Sequence, residues 1–164
     1  MDVHSKYYLE VIIKLFIAAA CGGVIGYERE HRNKNVGVRT YMTVCISTAV
    51  VMIIARLCFK DTKSGDITRM AAAAIQGISF LGAGLIIHKE DQLKGITTAA
   101  ILWGTAVIGL AIGYGLYFLG IVATIFMIFI GYIWIKISDN YYVKHGKKSE
   151  GKNLKLFKNK KNEE

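Results

Sequence analysis

Arg69-Met70-Ala71-Ala72-Ala73-Ala74-Ile75-Gln76-Gly77-Ile78-Ser79-Phe80-Leu81-Gly82-Ala83-Gly84-Leu85-Ile86-Ile87-His88 is the stretch whose reading decides the fold. It is apolar, close to the ~20 residues a helix needs to cross a bilayer, and crowded with small side chains. At about 100° per residue, Met70, Ala73, Gly77, Phe80, Gly84 and His88 share one face. Ala72, Gln76, Ser79 and Ala83 form a second face, small and polar. Only the strip with Ala74, Ile78, Leu81 and Leu85 suits lipid. A membrane helix with small residues on two sides admits two close neighbours, so the pattern predicts a central helix. Two uses of Gly77, Gly82 and Gly84 stay open: packing alone, or a backbone that lines a site with Gln76 and Ser79 as its polar groups.

Working outward, the composition agrees. The 164-residue chain is 53% hydrophobic and has no proline, and its mean hydropathy is +0.36. These values are too apolar for an ordinary soluble domain of this size, and the apolar residues come in long runs. The fold class expected is an all-α, polytopic membrane bundle of five helices, with spans at residues 8–27, 40–58, 69–88, 95–113 and 116–137. Residues 1–137 form one transmembrane domain, and 138–164 a basic, disordered cytoplasmic tail. Net charge is +9, but the basic residues collect in loops and in the run from Lys136 onward. That asymmetry places the C-terminus inside and the N-terminus outside, and it makes anionic lipid the partner of the tail. Nucleic acid is excluded as a partner on the same ground. Cys21, Cys45 and Cys58 lie in or at the end of apolar runs, an odd count without paired spacing, and read as small buried hydrophobes.

Taken in order, Tyr7, Tyr8 and Tyr27 bound an uncleaved first span as interface aromatics. Glu10 and Lys14 are spaced i, i+4 and pair or snorkel at its outer boundary. Glu28–Arg32 and Glu30–Lys34 repeat that spacing where the helix runs on beyond the membrane. Gly37 is expected to reverse the chain and Thr40 to cap the second span. Arg56, near the far end of that span, can reach headgroups, and Asp66 or Thr68 caps the third. In the fourth span Thr98, Thr105, Gly109 and Gly113 make a small-residue seam, expected to meet the third span. Trp103 sits at mid-membrane and is expected inside the bundle with its N–H bonded. Gly113-Tyr114-Gly115 turns into a bulky, peripheral fifth span.

The chemistry available is limited. His4, His31, His88 and His145 lie far apart, and no His/Cys/Asp cluster has metal-ligand spacing, so neither a catalytic constellation, nor a metal site, nor a cofactor site is expected. The protein reads as a non-enzyme. A cation carrier places carboxylates near the midplane, and the cores of spans two to five have none. A channel or carrier for an ion or small solute would have to use neutral oxygens from Gln76, Ser79, Thr97 and Thr98. At the cytoplasmic rim Glu28, Arg29, Arg32, Arg39, Thr40, Lys89, Glu90, Asp91, Lys94 and Thr97 gather on two loops and their helix ends. They are ordinary interface charges, or a cluster that locks helices together or meets a partner.

Four motifs, in order over roughly residues 9–135, resemble the MgtC/SapB family of membrane proteins. Gly22-Gly23-Val24-Ile25-Gly26-Tyr27-Glu28-Arg29-Glu30 is similar to its first-span signature, and Gly37-Val38-Arg39-Thr40 to its Gly-Leu-Arg-Thr element. Gly77-Ile78-Ser79-Phe80-Leu81-Gly82-Ala83-Gly84 resembles its glycine signature, with Ser79 in place of a glycine. Gly95-Ile96-Thr97-Thr98-Ala99-Ala100, then Trp103 and Gly109, completes the pattern. The resemblance implies a multi-pass protein of the bacterial inner (plasma) membrane, linked with growth in low magnesium and survival inside host cells. It implies a regulator that binds other membrane proteins, the proton-translocating ATP synthase or a transporter among them, with self-assembly into a homo-oligomer left open. Many members carry a folded cytoplasmic C-terminal domain, which the basic tail here cannot form.

Overall fold

The computed structural model describes residues 3–59, 66–89 and 92–133. Helices dominate. α1 (Val3–His31), α2 (Val38–Cys58) and α3 (Ile67–Gly84) lead to a short antiparallel hairpin, β1 (Ile87–Lys89) and β2 (Gln92–Lys94). α4 (Ile96–Tyr114) and α5 (Tyr117–Ile133) follow. Two compact units divide the chain, Met1–Met127 and Ile128–Glu164; the second is described only over the helical residues 128–133, and the contacts below belong to the first. α1 from Ser5, α2 and α4 are long and apolar enough to cross a membrane. The molecule is the all-α membrane helix bundle expected. The basic tail at 138–164, the end of the fifth span at 134–137, and Glu90 and Asp91 lie outside the described residues.

The centre of the bundle is α2, not α3. Tyr41, Val44, Cys45, Thr48, Ala49, Met52, Ile53 and Ala55 are all buried, a 3.6-residue rhythm too wide for one contact stripe. α1 and α4 take adjoining parts of it that both reach Cys45, each through two glycines four residues apart. On α1, a Cβ at Gly22 would lie 2.6 Å from the Tyr41 carbonyl oxygen and 2.9 Å from Met42 Cα, and one at Gly26 would lie 2.6 Å from Val38 Cα. On α4, a Cβ at Gly109 would overlap Thr48 Oγ1 and the Cys45 carbonyl, and one at Gly113 would lie 2.8 Å from Ala49 Cα. Only glycine allows backbones this close, which is the small-xxx-small mode of membrane helix packing. Thr48 keeps its hydroxyl occupied within its own helix, donating to the carbonyls of Val44 at 2.9 Å and Cys45 at 3.1 Å.

The seam expected on the fourth span is real: Thr98, Thr105, Gly109 and Gly113 are buried. Its glycines, however, meet α2 and not α3. α3 lies at the edge, where Gly82 is its one buried residue and a Cβ there would stand 3.8 Å from Ala99 Cβ. Ile67, Met70, Ala71, Ala74 and Ile75 pack half-buried against Met52, Ala55 and Leu110. Of the strip assigned to lipid, Ala74 turns inward; the small faces point outward.

Three local expectations also change. α3 ends at Gly84, with the amides of Leu85 and Ile86 closing onto the carbonyls of Gly82 and Ala83 at 3.1 Å. The β-branched pair Ile86-Ile87 then goes extended, and His88 pairs with Leu93 across the hairpin. Gly95, at φ +93°, ends it against the Leu85 carbonyl, a conformation and a space that exclude a side chain. Second, α2 begins at Val38 with Gly37 as its N-cap, so Thr40 lies inside the helix and is not its cap. The left-handed turn residue is Asn33, at φ 52°, while Gly37 has φ −105°. Third, Trp103 is 45% exposed, on the side of α4 away from the Leu102–Ala106–Gly109 face that α2 and α1 require. Asp66 does cap α3, accepting from Thr68 N at 2.8 Å and Thr68 Oγ1 at 2.5 Å.

Candidate functional site

Where α1 meets the start of α2, the glycine approach at Gly26 draws charged residues into the packed part of the bundle. Arg29 follows Gly26 by three residues, so it shares the face turned to α2 and is only 3% exposed. Its Nε lies 2.8 Å from Glu28 Oε2. The other oxygen, Glu28 Oε1, meets Arg32 Nε one helical turn further on. One carboxylate thus sits between two guanidinium groups.

These contacts are ionic more than directional: Arg29 Nε and Glu28 Oε1 lack a hydrogen bond of good alignment despite their proximity. Tyr41, from α2, is fully buried and its hydroxyl has no hydrogen-bond partner among the described residues. It lies within electrostatic reach of both Arg29 and Glu28. Burying polar groups this incompletely matched works against stability, and ionisable groups inside a membrane bundle are functional suspects for that reason. The link between the helices is fastened by Glu30, whose Oε2 accepts the Val38 amide at 2.9 Å. A Cβ at Gly37 would meet that carboxylate, 3.3 Å from its Cδ, so glycine here clears the way for the Glu30 contact. Glu30 is therefore committed to the helix start and not to the expected pair with Lys34.

The residues singled out in the sequence separate into distinct places. Glu28 and Arg29 come together with Arg32. Arg39 and Thr40 are exposed on the first turn of α2, where the Arg39 carbonyl accepts the Thr43 hydroxyl at 2.8 Å. Gln76, Gly77, Ser79 and Gly84 are exposed along α3, and nothing lies within 4 Å of a Cβ at Gly77 or Gly84. Ser79 donates to the Ile75 carbonyl at 2.9 Å. Thr97 is exposed, Thr98 and Gly109 are buried, and Gly82 touches α4. Tyr41 is the site residue that sequence reasoning missed: one tyrosine at the head of an apolar run carries no local mark of burial. The Gly22/Gly26 spacing, which buries it, was the available signal.

Apolar helices closed on one another through glycines, with charge held at a helix end, define an α-helical membrane protein. The chain belongs to the MgtC family, whose model matches residues 15–139. It is 40% identical over 121 residues to the "putative magnesium transporter YhiD" of Escherichia coli strain K12, covering 71% of this chain and 56% of that one. It is 38% identical over 114 residues to "protein SapB" of Bacillus subtilis, covering 66% and 49%. It is 39% identical over 107 residues to "protein MgtC" of Brucella abortus, covering 65% and 44%. The chain spans about half the length of these curated relatives. No solved structure matches it.

Proposed function

We propose that the protein is a multi-pass regulator of the bacterial inner membrane, acting in magnesium homeostasis by binding other membrane proteins and not by catalysis. The observation that carries this reading is the outward face of α3. Gln76, Gly77, Phe80 and Gly84 are exposed, with Phe80 at 81%, while the glycine faces of α1 and α4 are consumed inside the bundle. A small-residue face with an aromatic beside it is the surface a second membrane helix can approach closely. The magnesium link comes from the YhiD relative, which is named a putative magnesium transporter. The partner class is an ion-translocating membrane complex, an ATP synthase or a transporter, as the family resemblance implies.

A photo-crosslinking residue at position 77 or 84, in native membranes at low and high magnesium, tests it. The expected outcome is a crosslink to a different protein from both positions. Crosslinks only to a second copy, or only to lipid, at both magnesium levels would remove the regulatory reading.

The name of the YhiD relative favours a second reading, a magnesium carrier. Against it, Gln76, Ser79 and Thr97 lie outside the bundle and Thr98 inside. Among the described residues, no three His, Cys, Asp or Glu side chains come together. Magnesium flux into liposomes that Gln76→Leu abolishes would install the carrier in place of the regulator.

A further inference from the structure

The other end of α1 holds a second buried charge, and it belongs to a cavity. Lys14 is 5% exposed. Its Nζ lies 2.6 Å from Oε1 of Glu10, whose side chain is 51% exposed. Across from it, in the last turn of α2, Arg56 donates through Nη1 to the Tyr114 carbonyl and lies 5.2 Å from the centroid of the Tyr114 ring. These groups line a cavity of about 370 Å³, walled on its apolar side by Ile53 and Ile67.

The charge balance is uneven. Among the described residues, two cations face the cavity against one carboxylate, and that carboxylate is half in solvent. The Lys14 ammonium has three donors and the Arg56 guanidinium five, while the contacts among the described residues given above use one of each. Arg56 is exposed, but Lys14 is buried, where donors left without acceptors are costly. A cation would be repelled here; an oxyanion would complete both groups at once. The guanidinium fork suits the flat spread of two oxygens, and the ammonium supplies a point charge behind it. The volume falls in the range of small-molecule sites.

We propose that this cavity binds a phosphate group, presented by an anionic phospholipid or by a free phosphate. The apolar wall accommodates the glycerol and first methylenes in the first case. In the second it only excludes water. Lys14 and Arg56 hold the oxygens, and Glu10 keeps Lys14 turned toward the cavity. The site is distinct from the Glu28–Arg29 cluster at the far end of α1, and it stands whether or not α3 recruits a partner.

The test uses the whole chain in detergent. One arm titrates phosphatidylglycerol against phosphatidylcholine and reads retained lipid by native mass spectrometry. The other adds sodium phosphate against sodium chloride at equal ionic strength and reads the melting temperature. Selective binding is expected in at least one arm; lipid alone identifies a headgroup source, and a response to inorganic phosphate identifies a free anion. Arg56→Gln is expected to weaken that binding about tenfold, the value of one charge-assisted hydrogen bond. The double variant Glu10→Gln/Lys14→Met removes the ammonium without stranding the carboxylate, and it weakens binding similarly even if Arg56→Gln does not fold. No selectivity in either arm, or selectivity that survives in every variant that folds, overturns the proposal.

Discussion

Alanine at Gly22 and alanine at Gly77 should have effects of opposite sign. Both glycines sit inside helices and both belong to glycine-rich motifs, so helix propensity favours alanine equally, by ~1 kcal/mol. The difference lies in what the new methyl meets. At Gly22 it would stand 2.6 Å from the Tyr41 carbonyl oxygen, 2.9 Å from Met42 Cα and 2.9 Å from Cys45 Cβ. None of these is the end of a flexible side chain. Carbon atoms rest ~3.5 Å apart or more, so α1 must retreat by roughly 0.6 Å along the contact, a gap that forfeits a quarter or more of the attraction across it. Overpacking of this kind costs about 1–3 kcal/mol, and the upper end applies because backbone cannot rotate away. The net effect is a loss of ~2 kcal/mol. At Gly77 the methyl meets nothing within 4 Å, so the ~1 kcal/mol propensity gain survives. Reversible unfolding in mixed micelles, followed by circular dichroism at a dilution where the protein is monomeric, measures both. A stable Gly22→Ala with a destabilised Gly77→Ala would refute the placement of α2 at the centre and α3 at the edge.

Glu28→Gln leaves the buried Arg29 guanidinium without its carboxylate and should cost about 3 kcal/mol, the lower end for breaking a buried pair; Glu28→Gln/Arg29→Gln should recover part of that loss in the same unfolding assay, giving a positive coupling in the double-mutant cycle. Glu30→Ala removes the acceptor for the Val38 amide and should cost about 1 kcal/mol, as lost helix caps do, while Glu30→Gln keeps an acceptor and should cost less. The Asp66 carboxyl is held below the usual carboxylate range by its bonds to the Thr68 hydroxyl and amide. Its cap is therefore complete above the ordinary carboxylate range and is lost as pH falls through the lowered value. Amide exchange in the first turn of α3 should accelerate in that acid window, and Asp66→Asn should remove the pH dependence.

What the sequence makes legible is local. Apolar runs mark the helices, and i, i+4 spacing finds Glu10–Lys14 and Glu28–Arg32, because one helix fixes both members of each pair. Asp66 is readable as a cap, and Gly113-Tyr114-Gly115 as a stop. There Gly115, at φ +108°, receives the end of α4, its amide donating to the Ile112 carbonyl at 3.0 Å. Partnership between helices is not local. Small faces occur on α1, α3 and α4 alike, and nothing within α3 says that α2 is already taken on two sides. The face of α2 that receives both glycine pairs is itself built of Tyr41, Cys45, Thr48 and Ala49, an unremarkable set until α1 and α4 are laid against it. Trp103 failed for the same reason: depth in the membrane is legible from the sequence, but the direction a side chain takes from its helix is settled by neighbours. The β1–β2 hairpin is too short to leave a period.

The glycine pair at Gly22 and Gly26 also has a consequence in time. Its counterpart surface on α2 ends at Cys45, so the α1–α2 hairpin is chemically complete before any residue of α4 has been made. Chains are synthesised from the N-terminus at ~5–20 residues per second, which leaves seconds between the two events. During that interval the part of α2 around Thr48 and Ala49 waits in the membrane without the α4 glycines that will meet it. Gly109 and Gly113 then arrive as a closing piece on a hairpin already set, and a chain stalled or cut before α4 would present that bare face to whatever helix came first.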